Sequence, residues 1–146
     1  MSKEKRIIVM KKHTVLFADD ELHNIEALFA IAEAEGYSVK TCRNASEAVK
    51  MVEEGGVDCV VIDIMMDPGS NLSGADPHYA GLAAIDRILR VANHPPIICL
   101  SVISDQKIID SLKKKGVLYL RKAETSTNKA WDLIQSKITG VYRVKR

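Results

Sequence analysis

This sequence has few cysteines, no long apolar stretch and little net charge, and each of these features argues against a class of protein. Among 146 residues there are only three cysteines and four prolines. An odd number of cysteines, none of them in a CxxC pair, argues against the disulfide framework of a small secreted protein. No stretch approaches the roughly 18 apolar residues that a membrane-spanning helix needs. The 21 basic and 19 acidic side chains leave a formal charge of +2, which gives no indication of a nucleic-acid or membrane partner.

The length and the overall composition predict one globular domain. The hydrophobic fraction of 47% and the charged fraction of 27% are close to globular averages and exclude wholesale disorder. We expect residues 13–140 to form the domain, with residues 1–12 and 141–146 as tails and no room for a separate DNA-binding domain. The charged N-terminus lacks a signal-peptide core, and the cysteines are expected to be reduced and buried. These features predict a cytoplasmic location.

Short apolar runs alternate with amphipathic stretches along most of the chain. The runs predict five strands, at residues 14–18, 37–42, 59–62, 97–100 and 117–120. Asn44, with Glu47 three residues later, forms a capping-box pattern that predicts the start of the second helix. Because each helix crosses from one strand to the next, the strands must pair in parallel. The prediction is an α/β fold, a doubly wound five-stranded parallel sheet in the order 2-1-3-4-5.

Polar side chains gather at the carboxyl ends of the predicted strands, where such sheets bind their ligands. In chain order they are Asp19, Asp20, Asp63, Ser101 and Lys122. At an effective dielectric constant of 20, two like charges about 4 Å apart repel by about 4 kcal/mol. A hard divalent cation with oxygen ligands, which in the cytoplasm is Mg²⁺, would relieve this repulsion. Three carboxylates, one Mg²⁺ and one lysine then sum to zero charge.

Four short motifs make the sequence recognisable. They are Ala18-Asp19-Asp20-Glu21, Val61-Ile62-Asp63-Ile64-Met65-Met66, Ile97-Ile98-Cys99-Leu100-Ser101 and Tyr119-Leu120-Arg121-Lys122. In order and approximate spacing they resemble the signatures of response-regulator receiver domains, each at the end of the matching predicted strand. The resemblance covers residues 14–138, nearly the whole chain, and implies the flavodoxin-like receiver fold.

The resemblance implies a role in two-component signalling for a single-domain response regulator. Asp63 would be phosphorylated by a sensor histidine kinase, a phosphotransfer protein or a small phosphodonor. Mg²⁺ would be held by Asp19, Asp20, Asp63 and the backbone carbonyl of Met65. Apart from this self-catalysed transfer and autodephosphorylation, no enzymatic activity is expected. The chain would signal in a phosphorelay by contact with a downstream protein.

Three further residues receive roles from the same resemblance. Lys122 would pair with the phosphoryl oxygens, and Ser101 would hydrogen-bond one of them, so both count with Asp63 as catalytic residues. Ser101 and Tyr119 would form the switch that responds to phosphorylation. The face made by the fourth helix, the fifth strand and the fifth helix would bind targets or a second copy of the chain.

The sequence departs from the family pattern at two places. The segment Asp67–His78 is a loop of about a dozen residues where receivers usually have a short turn. Two interpretations stay open for it: a lid or partner-recognition element, and an insertion without a role. Ala123 stands where the family has proline after the lysine. A non-proline cis peptide costs about 3–4 kcal/mol, so we predict a trans Lys122–Ala123 bond.

Other interpretations of the same residues compete with this one. Taken singly, Asp19 or Asp20 could merely cap the following helix, and Lys122 could be a solvated charge. The fold could also serve as an interaction module that works without phosphorylation. A Mg²⁺-dependent phosphatase commonly needs a second acid two residues after its nucleophile, where this chain has Met65. Nucleotide or flavin binding is disfavoured, because no glycine-rich loop follows the first strand.

Overall fold

The computed structural model describes residues 13–70, 72, 76 and 78–140. The expected tails, residues 1–12 and 141–146, lie outside the described residues. So do five positions of the long loop, which are 71, 73–75 and 77.

Within the described residues, five strands form one parallel sheet in the order β2-β1-β3-β4-β5, which confirms the predicted fold. Their bounds are β1 Thr14–Ala18, β2 Ser38–Cys42, β3 Cys59–Ile62, β4 Ile97–Ser101 and β5 Leu118–Arg121. The predicted ends agree to within one residue. The strand β3 is fully buried because all four of its residues are apolar and both faces of the sheet are covered.

In the described part of the chain, five α-helices connect and flank the strands. They are α1 Glu26–Ala34, α2 Ala45–Glu54, α3 Ala80–Leu89, α4 Gln106–Lys114 and α5 Thr127–Thr139. A 3₁₀ turn, Leu22–Ile25, precedes α1. One apolar core lies between the sheet and the helices α2, α3 and α4, and the other lies between the sheet and α1 and α5. The doubly wound arrangement thus gives each face of the sheet its own core.

Local side-chain chemistry sets several helix ends. Asn44 caps α2 by accepting a hydrogen bond from the backbone N–H of Glu47 at 2.8 Å, as the capping-box pattern predicts. Ser126 caps α5 in the same way through the N–H of Lys129. Gly140 ends α5 with a φ of 73°, a left-handed conformation that glycine adopts without steric cost.

The contact between α3 and the end of β3 requires glycine at position 81. The N–H of Gly81 donates to the carbonyl of Ile64 at 2.8 Å, and a Cβ atom would collide with the carbonyl oxygen of Asp63. That Cβ would also lie 2.6 Å from the Cα of Ile64. The first turn of α3 therefore rests directly on the backbone that carries Asp63.

Two further predictions can be compared with the structure. Cys42, Cys59 and Cys99 are free and buried, as expected. Burial raises the pKa of Cys42 and of Cys59 to about 12, so both thiols stay protonated at neutral pH. The described residues contain no cis peptide, so the Lys122–Ala123 bond is trans as predicted. None of the described helices is long and apolar enough to cross a membrane.

Candidate functional site

Three carboxylates lie together at the carboxyl ends of β1 and β3. In the parallel register, Ala18 is opposite Ile62, so the residues that follow them emerge side by side. One carboxylate oxygen from each of Asp19, Asp20 and Asp63 lies within 4.8 Å of the other two. Asp19 and Asp63 are buried, at 2% and 6% exposure, whereas Asp20 is exposed. Such a group of acidic oxygens suits a hard divalent cation.

Lys122 supplies the positive charge of this site. Its Nζ donates hydrogen bonds to Asp19 Oδ2 at 2.7 Å and to Asp63 Oδ2 at 3.0 Å. Burial alone would lower the pKa of Lys122, but the hydrogen bonds and negative charges of the two aspartates outweigh it and raise the pKa. The ammonium group is therefore fully charged at neutral pH. When the three acids are ionised, two negative charges are left uncompensated.

Asp20 faces the open side of the site. Partial burial raises its pKa, and the negative charges of Asp19, Asp63 and Glu21 raise it further. Its backbone carbonyl accepts a hydrogen bond from Arg43 Nη1 at 3.3 Å. The carboxylate of Asp20 is therefore exposed and repelled by its acidic neighbours, which makes it well suited to a cation from solvent.

Of the adjacent acids Asp19 and Asp20, only Asp19 caps the following turn, and the cap uses only one of its two carboxylate oxygens. Asp19 Oδ1 accepts from the backbone N–H of Glu21 at 2.9 Å, which stabilises the turn after β1. The other oxygen of Asp19 binds Lys122. Glu21, the N-cap residue of the 3₁₀ turn, makes no side-chain capping bond. The turn thus fixes the direction of the Asp19 carboxylate while leaving it in the acidic site.

Met65 contacts the site through its backbone. Its N–H donates to Asp63 Oδ1 at 3.3 Å, while its side chain is exposed. Met65 and Asp20 also line an open cleft of about 570 Å³, whose remaining walls are Met66, Asp67, Pro68 and His78. Reagents from solvent can therefore approach the exposed edge of the acidic site through this cleft.

Ser101 and Tyr119 lie at the β4–β5 side and are connected through Ile103. The buried hydroxyl of Ser101 accepts from the N–H of Ile103 at 3.4 Å. The hydroxyl of Tyr119 donates to the carbonyl of Ile103, with a longer contact of 3.5 Å to the carbonyl of Ser101. Burial raises the pKa of Tyr119. Within the described part of the chain, neither hydroxyl hydrogen-bonds a carboxylate of the site.

Three contributors to this geometry are not among the predicted site residues. Ile103 connects the serine and the tyrosine through backbone atoms, which leave no trace in the side-chain pattern. Arg43 contacts the Asp20 carbonyl from the end of β2, but an isolated surface arginine carries no distinctive signal. Gly81 is detectable in principle, because glycine in the first turn of a helix is unfavourable unless a close contact requires it.

Comparison with known proteins agrees with the fold. Residues 15–130 match the family model of the response regulator receiver domain. The uncharacterized transcriptional regulatory protein YkoG of Bacillus subtilis (strain 168) is 29% identical over 92 residues, which cover 63% of this chain and 36% of that protein. The chain thus spans about a third of the length of this curated relative.

Solved structures show the same fold at low sequence identity. A CheY-like response regulator receiver domain protein from Methanospirillum hungatei JF-1 is 17% identical, with a TM-score of 0.73 over 88% of this chain and 95% of that one. The receiver domain of the sensor histidine kinase PA1611 from Pseudomonas aeruginosa PAO1 is 22% identical, with a TM-score of 0.68 over 87% of this chain and 98% of that one. That structure has a magnesium ion coordinated in its active site cleft. Because the family model spans most of its length, this chain belongs to the response regulator receiver domain family.

Proposed function

We propose that this chain accepts a phosphoryl group on Asp63 in a Mg²⁺-dependent reaction and then signals through protein contacts. One observation carries the proposal: Lys122 Nζ lies within hydrogen-bond distance of both Asp19 and Asp63, with Asp20 beside them. A structural ion pair needs one acid for one base. The two additional acids add repulsion, and this excess is explained if the site takes up a cation.

The donor set fits Mg²⁺. The carboxylates of Asp19, Asp20 and Asp63 would hold the ion, together with the backbone carbonyl of Met65. Partial burial raises the pKa of Asp20, the negative charges of Asp19, Asp63 and Glu21 raise it further, and a bound cation would relieve this repulsion. When bound, the ion would supply positive charge against the oxygens of an incoming phosphoryl group. The magnesium in the receiver domain of the Pseudomonas aeruginosa kinase supports the same choice of metal.

The chemistry assigned to the chain's own groups is a displacement at phosphorus. A carboxylate oxygen of Asp63 attacks, the bond from phosphorus to the donor's nitrogen or oxygen breaks, and its electron pair leaves with the donor. The product is an acyl phosphate on Asp63. Lys122 would then donate to a phosphoryl oxygen. The hydroxyl of Ser101 accepts from Ile103 and keeps its own proton for donation to another phosphoryl oxygen.

The proposed partners follow from the family. Receiver domains interact with histidine kinases, and we propose a sensor histidine kinase or a phosphotransfer protein as donor, with acetyl phosphate as a small substitute. Residues 13–140 would act as a stand-alone receiver domain that catalyses only its own phosphorylation and dephosphorylation. The buried free thiols favour a reducing compartment, which supports a cytoplasmic location.

The proposed output surface is the face formed by α4, β5 and α5, through which a downstream protein or a second copy would bind. Tyr119 lies at this face, and its bond to the carbonyl of Ile103 connects β5 to the loop after Ser101. A movement of Ser101 towards a phosphoryl group would therefore be transmitted to this face. Gel filtration with and without beryllofluoride and Mg²⁺ tests the homodimer.

Intact-mass spectrometry after incubation with acetyl phosphate tests the phosphoacceptor role. With Mg²⁺, the unsubstituted protein should gain the mass of one phosphoryl group, and EDTA should prevent the gain. The Asp63→Asn variant, which keeps the size of the side chain, should gain nothing. Equal phosphorylation of this variant, or phosphorylation that persists in EDTA, would contradict the proposal.

A further inference from the structure

The long connection between β3 and α3 begins with a segment that is attached to α2. We call residues 64–69 the acceptor loop, since it leaves Asp63 directly. The N–H of Ala45 donates to the carbonyl of Asp67 at 2.8 Å, and the N–H of Ser46 donates to the carbonyl of Pro68 at 2.9 Å. Asn44 and Asp67 also form an isolated parallel β-bridge. The acceptor loop thus uses the N–H groups that the first turn of a helix leaves without intrahelical partners.

The side chain of Ser46 makes two further hydrogen bonds that strengthen this attachment. Its buried hydroxyl donates to the carbonyl of Pro68 at 2.7 Å and accepts from the N–H of Leu72 at 3.1 Å. One serine on α2 therefore bonds the acceptor loop at Pro68 and the chain four residues further on. Serine at this point of a helix more commonly serves the helix itself, so bonds to a distant loop indicate a second role.

The acceptor loop is held at its other end by the acidic site. The N–H of Met65 donates to Asp63 Oδ1, and the side chain of Met66 is buried in the core beneath the sheet's α2–α3 face. The backbone from residue 63 to residue 68 therefore has fixed points at both ends. Only a short stretch lies between the Ser46 bonds and Met65, whose carbonyl is the proposed backbone ligand for Mg²⁺.

Glycine at position 69 allows the loop to approach this closely. Its φ is 77°, and a Cβ atom would lie 2.5 Å from Asn44 Oδ1 and 2.8 Å from Ser46 Cβ. Any larger residue would push the loop away from the N-terminus of α2. The close approach and the hydroxyl bonds are two independent features that hold the same segment.

We infer that Ser46 is a positioning residue, which fixes the acceptor loop so that Met65 and Asp63 are held ready to bind Mg²⁺. The inference rests on the proposed function and adds to it a residue on a different element, α2, that is not one of the proposed metal ligands. Groups that orient metal ligands commonly change metal affinity when they are removed, although they do not bind the metal themselves.

Titration with Mg²⁺ alone, followed by NMR chemical shifts, tests this inference on the full chain. The Ser46→Ala variant should bind Mg²⁺ roughly tenfold more weakly than the unsubstituted protein. Ser46→Thr, which keeps a hydroxyl, should restore most of the affinity. Gly69→Ala should also weaken binding, because its Cβ would displace the same segment while the hydroxyl of Ser46 is kept.

Val49→Ala provides the matched control. Val49 is buried on the same helix, and its truncation leaves a cavity in the core while the hydrogen bonds of Ser46 to Pro68 and Leu72 are kept. This variant should lose stability against urea yet keep the Mg²⁺ affinity of the unsubstituted protein. If Ser46 had only a structural role, Ser46→Ala would show the same pattern as Val49→Ala, with lower stability and unchanged Mg²⁺ affinity.

The outcomes separate the inference from the function on which it rests. If the unsubstituted protein binds Mg²⁺ and Ser46→Ala binds it equally well, the inference is wrong and the proposed function stands. The inference is also wrong if Val49→Ala weakens binding as much as Ser46→Ala. If the unsubstituted protein does not bind Mg²⁺, the proposed function fails, and the positioning role fails with it.

Discussion

Acidic residues have different surroundings at the two ends of the parallel sheet. At the amino end, Asp58 accepts a hydrogen bond from the N–H of Thr14 at 2.8 Å, and its Oδ2 lies 3.8 Å from His13 Nδ1. This acid is partly exposed and has donors around it. At the carboxyl end, Asp19 and Asp63 are buried next to Asp20 and share the single ammonium group of Lys122.

The two ends differ in how far nearby donors neutralise the negative charge of the acids. Asp58 joins the starts of β1 and β3 through its bond to the N–H of Thr14. At the carboxyl end, three acids lie beside the ammonium group of Lys122, and partial burial raises the pKa of Asp20, which the negative charges of its acidic neighbours raise further. Perturbed titratable groups of this kind gather at functional sites, where they are retained at a cost in stability.

Lys122→Met should give the largest loss of stability at the carboxyl end. Among the described residues, it removes the one cation that contacts the buried carboxylates of Asp19 and Asp63. Removing one partner of a buried ion pair typically costs several kcal/mol, and we expect the free energy of unfolding to fall by about 3 kcal/mol in metal-free buffer. Urea denaturation of the variant and of the unsubstituted protein measures this loss. A loss no larger than that of an exposed lysine such as Lys114 would contradict the description of the site.

Alkaline pH tests the same ion pair without a substitution. The folded-state pKa of Lys122 lies above its ordinary value of 10.5, so the stabilisation that it gives is fully present below that pH. It should be lost as the pH rises through the folded-state pKa. In metal-free buffer, the unsubstituted protein should therefore lose more stability above pH 10.5 than Lys122→Met does. Parallel pH profiles would contradict this expectation.

Asp58→Ala should lower the free energy of unfolding by about 1.5 kcal/mol, because it removes a charged acceptor from the N–H of Thr14. The acetyl phosphate reaction of this variant should be unchanged, since Asp58 lies at the opposite end of the sheet. Urea denaturation and intact-mass spectrometry check the two expectations. A loss of phosphorylation in a folded Asp58→Ala protein would remove the distinction between the two ends.

Asp63→Asn should change the free energy of unfolding by a smaller amount and in the opposite direction, towards greater stability. It removes the repulsion of Asp63 with both Asp19 and Asp20, and it gives up one attraction to Lys122. The repulsive pairs outnumber the attractive one, so we expect metal-free protein to gain about 1 kcal/mol after screening by solvent. Urea denaturation in EDTA compares the variant with the unsubstituted protein. Destabilisation comparable to that of Asp58→Ala would show that Asp63 is a structural acid.

Much of the fold could be predicted because the strand pattern is unambiguous. The run of four apolar residues between Asp58 and Asp63 permits only one placement of β3. The strands β2 and β5 begin one residue later than predicted, and the cause is the same in both. The N–H of Tyr37 donates to Ala32, and that of Val117 donates to Leu112, so each residue completes the end of a helix before its strand begins.

The 3₁₀ turn before α1 was not predicted. Apolar spacing from Leu22 onwards suits a helix of either kind, and the sequence pattern does not distinguish them. In the structure, the N–H of Asn24 donates to the carbonyl of Glu21, three residues earlier. Regular α-helix begins only at Glu26.

The positions of the acids could be inferred from the topology, but the partners of the loops could not. Once β1 and β3 are parallel neighbours, Asp19 and Asp63 must emerge side by side. The bonds from Ser46 to Pro68 and Leu72 depend on the path of a long loop, which no spacing rule fixes. The identification of the Asn44 cap therefore located the start of α2 without revealing what lies against it.

The dependence of stability on Mg²⁺ tests the central claim most directly, namely that the carboxyl-end acids are kept to hold a divalent cation. A ligand that binds only the folded state raises the free energy of unfolding as its concentration exceeds the dissociation constant. Urea denaturation of the unsubstituted protein should shift to higher urea with Mg²⁺ relative to EDTA, and Asp20→Asn should reduce the shift. Identical denaturation curves with Mg²⁺ and with EDTA would contradict the account.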